Sequence, residues 1–296
     1  MASFEISVTL TMLRVGITGA NGQLGSELKL QFELAGYQVV AFTRQMLDIS
    51  NLEEVARSLR DIGLDFLINC AAFTNVDAAE QDALLAFKVN ADGPRNLAIT
   101  CKAEGIRFIH ISTDSVFSSD SPHYFRVDNP TNPLNVYSKS KDAGEQGVTA
   151  TYPEGSWIVR TAWIYGGFGG RFVHAIIKKS KESGNLKVVE DQFGQPTTTR
   201  ALARFLNTLI TSEANPGTYH FASQNYASRF NFARSIFEFL GEDIDRIQPS
   251  TTLPINQVAV RPRYSLLQLN NQVGNTIVEL DNWEKYLADF LANMGR

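Results

Sequence analysis

Tyr137 and Lys141 stand four residues apart in the run Pro133-Leu-Asn-Val-Tyr-Ser-Lys-Ser-Lys-Asp-Ala-Gly-Glu145. On a helix, residues i and i+4 lie one above the other on the same face. An ammonium held there favours the phenolate, lowers the phenol's pKa toward neutrality and makes Tyr137 a usable proton donor or acceptor. The competing reading is a surface helix whose lysines, Lys139 and Lys141, form a solvated face. Spacing alone does not separate the two, so the elements that would position the pair have to decide.

Those elements alternate. Short β-rich runs at 13–18, 38–43, 65–70 and 107–112 are separated by helical patterns at 23–35, 52–62 and 82–104. A helix over 137–147, a strand over 157–164 and a helix over 172–181 follow. Strands that read as continuous Val, Ile, Leu and Phe between amphipathic helices predict an α/β fold, a doubly wound parallel sheet covered on both faces. The glycines Gly166, Gly167, Gly169 and Gly170 then precede a less regular C-terminal third. The stretch 118–133, rich in Ser, Asp, Asn and Pro, reads as a surface loop leading to the Tyr137 helix.

Ligands of such sheets bind at the carboxyl ends of the strands. After the first strand comes Gly16-Ile-Thr-Gly19-Ala-Asn21-Gly22-Gln23-Leu24-Gly25, whose glycines let backbone N–H groups and a helix N-terminus approach a pyrophosphate. Its G-x-x-G-x-x-G spacing departs from the commoner G-x-G-x-x-G fingerprint. The second strand ends in Thr43-Arg44 without a carboxylate, which predicts NADPH in preference to NADH, Arg44 meeting a 2′-phosphate. Asp48 and Ile49 fall where the chain could line an adenine pocket, and small Ala71 and Ala72 leave room beyond the third strand. The fourth strand delivers Thr113 and Asp114, and a hydroxyl there could bond a substrate carbonyl. His110, His123, His174 and His220 show no ligand spacing; His110 reads as a satisfied core residue.

The chain has 296 residues, enough for one large α/β domain or two smaller ones, and a net charge of -4 without a basic stripe. This composition argues against nucleic-acid and membrane partners and for small molecules. Cys70 and Cys101 suggest neither a disulfide framework nor a zinc site, and Met1–Thr11 read as a short extension without a signal peptide. A cytoplasmic location is expected, with no metal.

Together, Gly19–Gly25, Asn69–Ala72, Ser112-Thr-Asp114 and Tyr137–Lys141 resemble the extended short-chain dehydrogenase/reductase superfamily. More narrowly, Ala71-Ala-Phe-Thr-Asn-Val-Asp77, Pro133-Leu-Asn-Val-Tyr137, Arg160-Thr-Ala-Trp-Ile-Tyr165 and Asp191-Gln-Phe-Gly-Gln-Pro-Thr197 look like the dTDP-4-dehydrorhamnose reductase family, over about residues 12–290. That resemblance implies a Rossmann NADP-binding domain over 12–168, rejoined by about 200–222, and a smaller substrate-binding domain over most of 169–296. It implies reduction of a nucleotide-sugar ketone, with Tyr137 protonating the alkoxide, Lys141 binding the nicotinamide ribose and Thr113 orienting the carbonyl. Phe73 and Asn90 would join the cofactor site, and Thr74, Val76, Asp114, Ser115 and Trp163 would touch the sugar. Many family members carry Tyr where this chain has Ser115, which loosens the assignment of the sugar. Some members form a magnesium-linked dimer; Glu27 could match one position, but Arg200 stands at another, so monomer and plain homodimer both remain open.

Two other readings compete. A nucleotide-sugar dehydratase carries Glu where Ser115 stands, which weakens that reading, and an epimerase would not consume its cofactor. The chain also resembles the NADP-binding regulatory subunit of methionine adenosyltransferase, which acts by binding a partner; intact Thr113, Tyr137 and Lys141 argue for catalysis instead.

Overall fold

The computed structural model describes residues 12–168, 172–252 and 258–294. Met1–Thr11, Gly169 and Gly170 lie outside the described residues. The first half of the chain winds β1 (Arg14–Thr18), α1 (Gln23–Leu34), β2 (Gln38–Phe42), α2 (Leu52–Leu59) and β3 (Phe66–Asn69). It continues with α3 (Val76–Gln81), α4 (Ala83–Phe87), a π-helical turn (Lys88–Asp92), α5 (Gly93–Glu104) and β4 (Arg107–Thr113). After the short β5 (Tyr124–Phe125) come α6 (Val136–Thr151), β6 (Ser156–Thr161) and β7 (Ile164–Tyr165). The remainder carries α7 (Phe172–Ser180), β8 (Leu186–Val189), β9 (Phe193–Gly194), β10 (Thr197–Thr198), α8 (Thr199–Thr211) and β11 (Gly217–His220). Last are β12 (Ala227–Ser228), α9 (Arg229–Phe239), β13 (Ile247–Ser250), β14 (Leu266–Leu267) and, after a small hairpin, α10 (Trp283–Asn293).

Six strands form one sheet in the order β11-β6-β4-β3-β1-β2, every neighbour parallel. Alternate side chains of β4 feed opposite faces, as a strand's period of two requires. Ile109 and Ile111 join Leu28, Phe32, Leu202 and Phe205 from α1 and α8, whereas Phe108 joins Val55, Leu59, Leu97 and Val148 from α2, α5 and α6. Each fully buried Leu, Ile or Phe contributes about 1.5–3 kcal/mol. A separate core of Val173, Ile176, Phe232, Phe237, Ile247, Trp283 and Leu287 holds a smaller lobe built from α7, β8, α9, β13 and α10.

Two elements differ from the sequence reading. The helical pattern over 82–104 begins where expected, Asp82 accepting from Leu85 N, but a π-helical turn at Lys88–Asp92 interrupts its α-helical ladder before Pro94 in the first turn of α5. The strand expected through Ile164 stops at Thr161: Trp163 adopts a positive φ of 42°, which no ladder accommodates, and β7 pairs instead with β10.

The chain passes from β1 to β2 on one side and then to β3 on the other. The sheet therefore opens a crevice between the carboxyl ends of β1 and β3, the usual ligand position in doubly wound sheets.

Helix α6 runs beside that crevice although the face it buries is mostly polar: Ser138, Ser140, Lys141 and Glu145 sit there with Gly144 and Val148. Buried polar groups require partners, and each has one. Ser138 meets the Ser115 hydroxyl, Ser140 Oγ accepts from Asn90 Nδ2 at 3.0 Å, and Lys141 Nζ donates to the Ile111 carbonyl at 2.7 Å. Glu145 takes Arg160 in a two-pronged ion pair and accepts from Ser112. At the start of the helix Asn135 Oδ1 accepts from Ser138 N at 2.9 Å, and Glu80 accepts from Val136 N at 2.8 Å. Gly144 is required because a Cβ there would lie 2.1 Å from the Asn90 carbonyl oxygen. These contacts fix the register of α6 and hence the positions of Tyr137 and Lys141.

Candidate functional site

The crevice widens into a cavity of about 830 Å³. One end is the glycine turn. Gly19 has φ +64°, and a Cβ there would fall 2.7 Å from Ala71 N; at Gly25 it would fall 2.3 Å from the Gly19 carbonyl oxygen. The loop is therefore pressed against the chain after β3 with no room for side chains. Helix α1 follows Gly22 at its N-cap, with no side-chain cap and no acidic residue in its first turn, so its positive N-terminal end faces the cavity open to an anion. This is the cradle a dinucleotide pyrophosphate requires, and the residues present fit it.

Gly19, Asn21, Gly22, Gln23, Leu24 and Gly25 line the cavity, as do Arg44, Asp48, Ile49, Ala71, Ala72 and Phe73. Thr74, Val76, Thr113, Asp114, Ser115, Tyr137, Lys141 and Trp163 line it as well. Asn90 is the exception. It is fully buried behind the wall, exchanging hydrogen bonds with the backbone of Phe73 and donating to Ser140, so it clamps the loop after β3 to α6 and presents nothing to a ligand. The side chains of Asp48 and Ile49 have local duties too. Asp48 accepts from Ser50 N and Oγ, which holds its carboxyl below the usual range, and Ile49 packs against Gly93.

Lys141, on the same cavity, is 2 % exposed, so the reading of Lys139 and Lys141 as a common solvated face is wrong for Lys141; only Lys139 is exposed. Burial pushes the ammonium down to about 8, with Glu145 acting against it. Thr113 Oγ1 donates to Asp114 Oδ1 at 3.0 Å and accepts from Ser115 N at 3.1 Å. Asp114 also accepts from Ser265 Oγ, and burial raises its carboxyl to about 6 against those hydrogen bonds.

Trp163 projects over Gly194, where a Cβ would fall 2.3 Å from the indole, and the Arg229 guanidinium lies 3.4 Å from its ring centroid. One aromatic face is thus already taken by a cation, a partner that the sequence reading did not give it. Burial lowers Arg229 to about 10, Asp114 opposing the shift. Gln192, Phe193, Arg229 and Ser265 complete the wall with Arg261 and Pro262. Gln192 and Phe193 fall within a family-like segment, but nothing near Arg229 in the sequence marks it; only the packing of α9 on the small lobe brings it here.

Among the described residues no group of three or more His, Cys, Asp or Glu side chains is placed to hold a metal ion. No described helix is long and apolar enough to cross a membrane.

A parallel sheet with a glycine-lined first turn, and a Tyr-x-x-x-Lys helix facing a strand-end threonine across one cavity, define an NAD(P)-dependent oxidoreductase of the extended short-chain dehydrogenase/reductase class. Comparison with known proteins narrows this. The RmlD substrate binding domain family matches residues 13–296, and the chain belongs to that family. It is 39% identical to a dTDP-4-dehydrorhamnose reductase of Mycolicibacterium smegmatis over 94% of this chain and 85% of that protein. It is 37% identical to a dTDP-4-keto-6-deoxy-D-glucose reductase of Streptomyces niveus over 85% of this chain and 87% of that protein. Among solved structures, dTDP-4-dehydrorhamnose reductase from Bacillus anthracis in complex with NADP superimposes with a TM-score of 0.90 at 38% identity, covering 95% of this chain and 99% of that one.

Proposed function

We propose that the protein uses NADPH to reduce the 4-keto group of dTDP-4-dehydro-6-deoxy-L-mannose, giving dTDP-L-rhamnose. The observation that carries this reading is that Thr113, Tyr137 and Lys141 line the same cavity as the glycine cradle, in a chain 39% identical to a reductase of that name.

The glycine turn and the N-terminus of α1 would hold the pyrophosphate, and Arg44, exposed beyond β2, would meet the 2′-phosphate. The chemistry the cofactor supplies is a hydride to the carbonyl carbon, which leaves oxidised NADP. Tyr137 gives the phenolic proton to the carbonyl oxygen as negative charge develops there, so that the product is the alcohol. Lys141 holds the nicotinamide ribose, and its positive charge stabilises the phenolate that Tyr137 leaves behind. Thr113 turns its hydroxyl from Asp114 to the carbonyl oxygen and fixes the face presented to hydride. Asp114, Ser115 and Trp163, with Thr74 and Val76, frame the sugar. Ser115 is bonded to Ser138 and leaves more space than a tyrosine at that position would.

NADPH oxidation with the dTDP-4-keto sugars of L-manno and D-gluco configuration tests the reading. Faster turnover of the L-manno sugar is expected. Turnover of the D-gluco sugar alone would transfer the assignment to the activity named for the Streptomyces niveus relative, and stable capture of a protein partner with no reduction of either sugar would favour a binding role.

A further inference from the structure

His110 lies on β4 behind Lys141, is fully buried, and has no part in the reaction as written above. Its two ring nitrogens face two different groups. Nδ1 is 3.0 Å from Asn69 Nδ2, and Nε2 is 3.3 Å from Lys141 Nζ. The donor and acceptor roles along this line follow from its far end. The Ala71 backbone N–H, which can only donate, points at Asn69 Oδ1 at 3.1 Å, and the Thr18 hydroxyl is 2.6 Å from the same oxygen. The Asn69 amide is therefore oriented with its NH₂ toward His110, and Nδ1 must accept. Burial, with the Lys141 charge adding to it, holds the imidazole well below its usual range and so neutral. Its single proton is then on Nε2, pointing at Lys141.

An ammonium has no lone pair, so a charged Lys141 drawn back against Ile111 meets the imidazole donor to donor. Only the neutral amine can accept that N–H. We propose that His110, its tautomer fixed by Asn69, is a positioning residue that disfavours the retracted ammonium and so sets both the protonation state and the reach of Lys141 into the cofactor site. Once the ammonium extends toward a ribose hydroxyl, the donor–donor contact is relieved. When it gives up its proton, the amine is received at Nε2–H.

The ionisable groups that bear on Lys141 from surrounding elements are few. Cys70 lies beyond β3, where burial keeps the thiol protonated by pushing it up to about 12. Glu145, one turn along α6, is engaged by Arg160 and Ser112, and Tyr137 stands one turn back. Asp114 is turned to Ser265 and Glu80 to the backbone of Val136, leaving His110 as the neighbouring ring on β4.

The inference rests on Lys141 acting as the ribose ligand, and its test avoids sugar turnover so that the two can fail separately. NADPH affinity is measured against pH for wild type and for His110→Gln, whose amide can turn a carbonyl toward Lys141. The pH at which affinity falls should move up by about one unit in the variant. An unchanged midpoint in a folded variant would overturn the proposal. Nitrogen-15 NMR of histidine-labelled wild type needs no variant: a neutral imidazole protonated at Nε2 is expected for His110 at pH 7, and protonation at Nδ1 or at both nitrogens overturns it.

Discussion

A lysine at 2 % exposure is a costly residue, and the proposed role of Lys141 at the cofactor, rather than stability, accounts for its place there. Its value in the folded protein, about 8, is below the ordinary 10.5, so the unfolded chain binds more protons between those two values. Its contribution therefore opposes folding below about pH 8, and stability is regained as pH rises toward 10.5. Lys141→Met should accordingly raise the thermal midpoint at pH 7, by up to about 3 kcal/mol of stability, while abolishing reduction. Thermal scans at pH 7 and pH 10.5 check this, since the gain should shrink at the higher pH. Tyr137→Phe removes one oxygen and should cost roughly 10²–10⁴ in turnover while NADPH still binds, as read by stopped-flow and cofactor fluorescence. These residues were legible because their types and spacing are local. Arg229 was not, since its place over Trp163 depends on two segments far apart in the chain. Asn90 was given a ligand role, and only its buried hydrogen bonds show it to be a clamp.

At the scale of elements, the glycine turn and α6 set the two ends of the site. In an ordinary helix Gly→Ala is worth about 1 kcal/mol in favour of folding. At Gly25 the new Cβ would fall 2.3 Å from the Gly19 carbonyl oxygen and 2.8 Å from Ala20 Cα, so the loop must shift. Gly25→Ala should weaken NADPH binding roughly tenfold or more, measured by titration, with the sheet intact by circular dichroism. Five strands of the sheet were legible from continuous apolar runs, because a parallel sheet covered on both faces demands them; β11, Gly-Thr-Tyr-His at the sheet edge, has no such run and was not. The end of β6 was not: Ala162-Trp163-Ile164 prolongs the apolar pattern, and the break comes from the backbone of Trp163, which periodicity does not register. The polar buried face of α6 also escapes periodicity, since it is satisfied by partners on β4, β6 and the π turn.

The whole molecule is a large sheet and a smaller lobe meeting over one cavity, and the chain crosses between them more than once. Asp77 at the start of α3 takes both prongs of Arg261 at 2.8 Å across 184 residues of sequence. Hydrogen bonding to Arg261, before other causes, holds the Asp77 carboxyl down to about 2. The pair therefore contributes fully above the ordinary 3.8, and its contribution disappears as pH falls through about 2. It is partly exposed and is worth less than about 1 kcal/mol. Its larger effect is on position, because Arg261 and Pro262 line the cavity. Asp77→Asn should raise KM for the sugar several-fold with kcat nearly unchanged, measured in steady-state assays. Such long-range ties are the part of the site that one-dimensional spacing does not encode. Hydride delivery to C4 of the nucleotide sugar is the central step, and NADPH with both hydrogens of the reactive nicotinamide carbon replaced by deuterium tests it directly. With dTDP-4-dehydro-6-deoxy-L-mannose the product should carry one deuterium, at C4, for each NADPH consumed; unlabelled product, or no NADPH consumed, would contradict it.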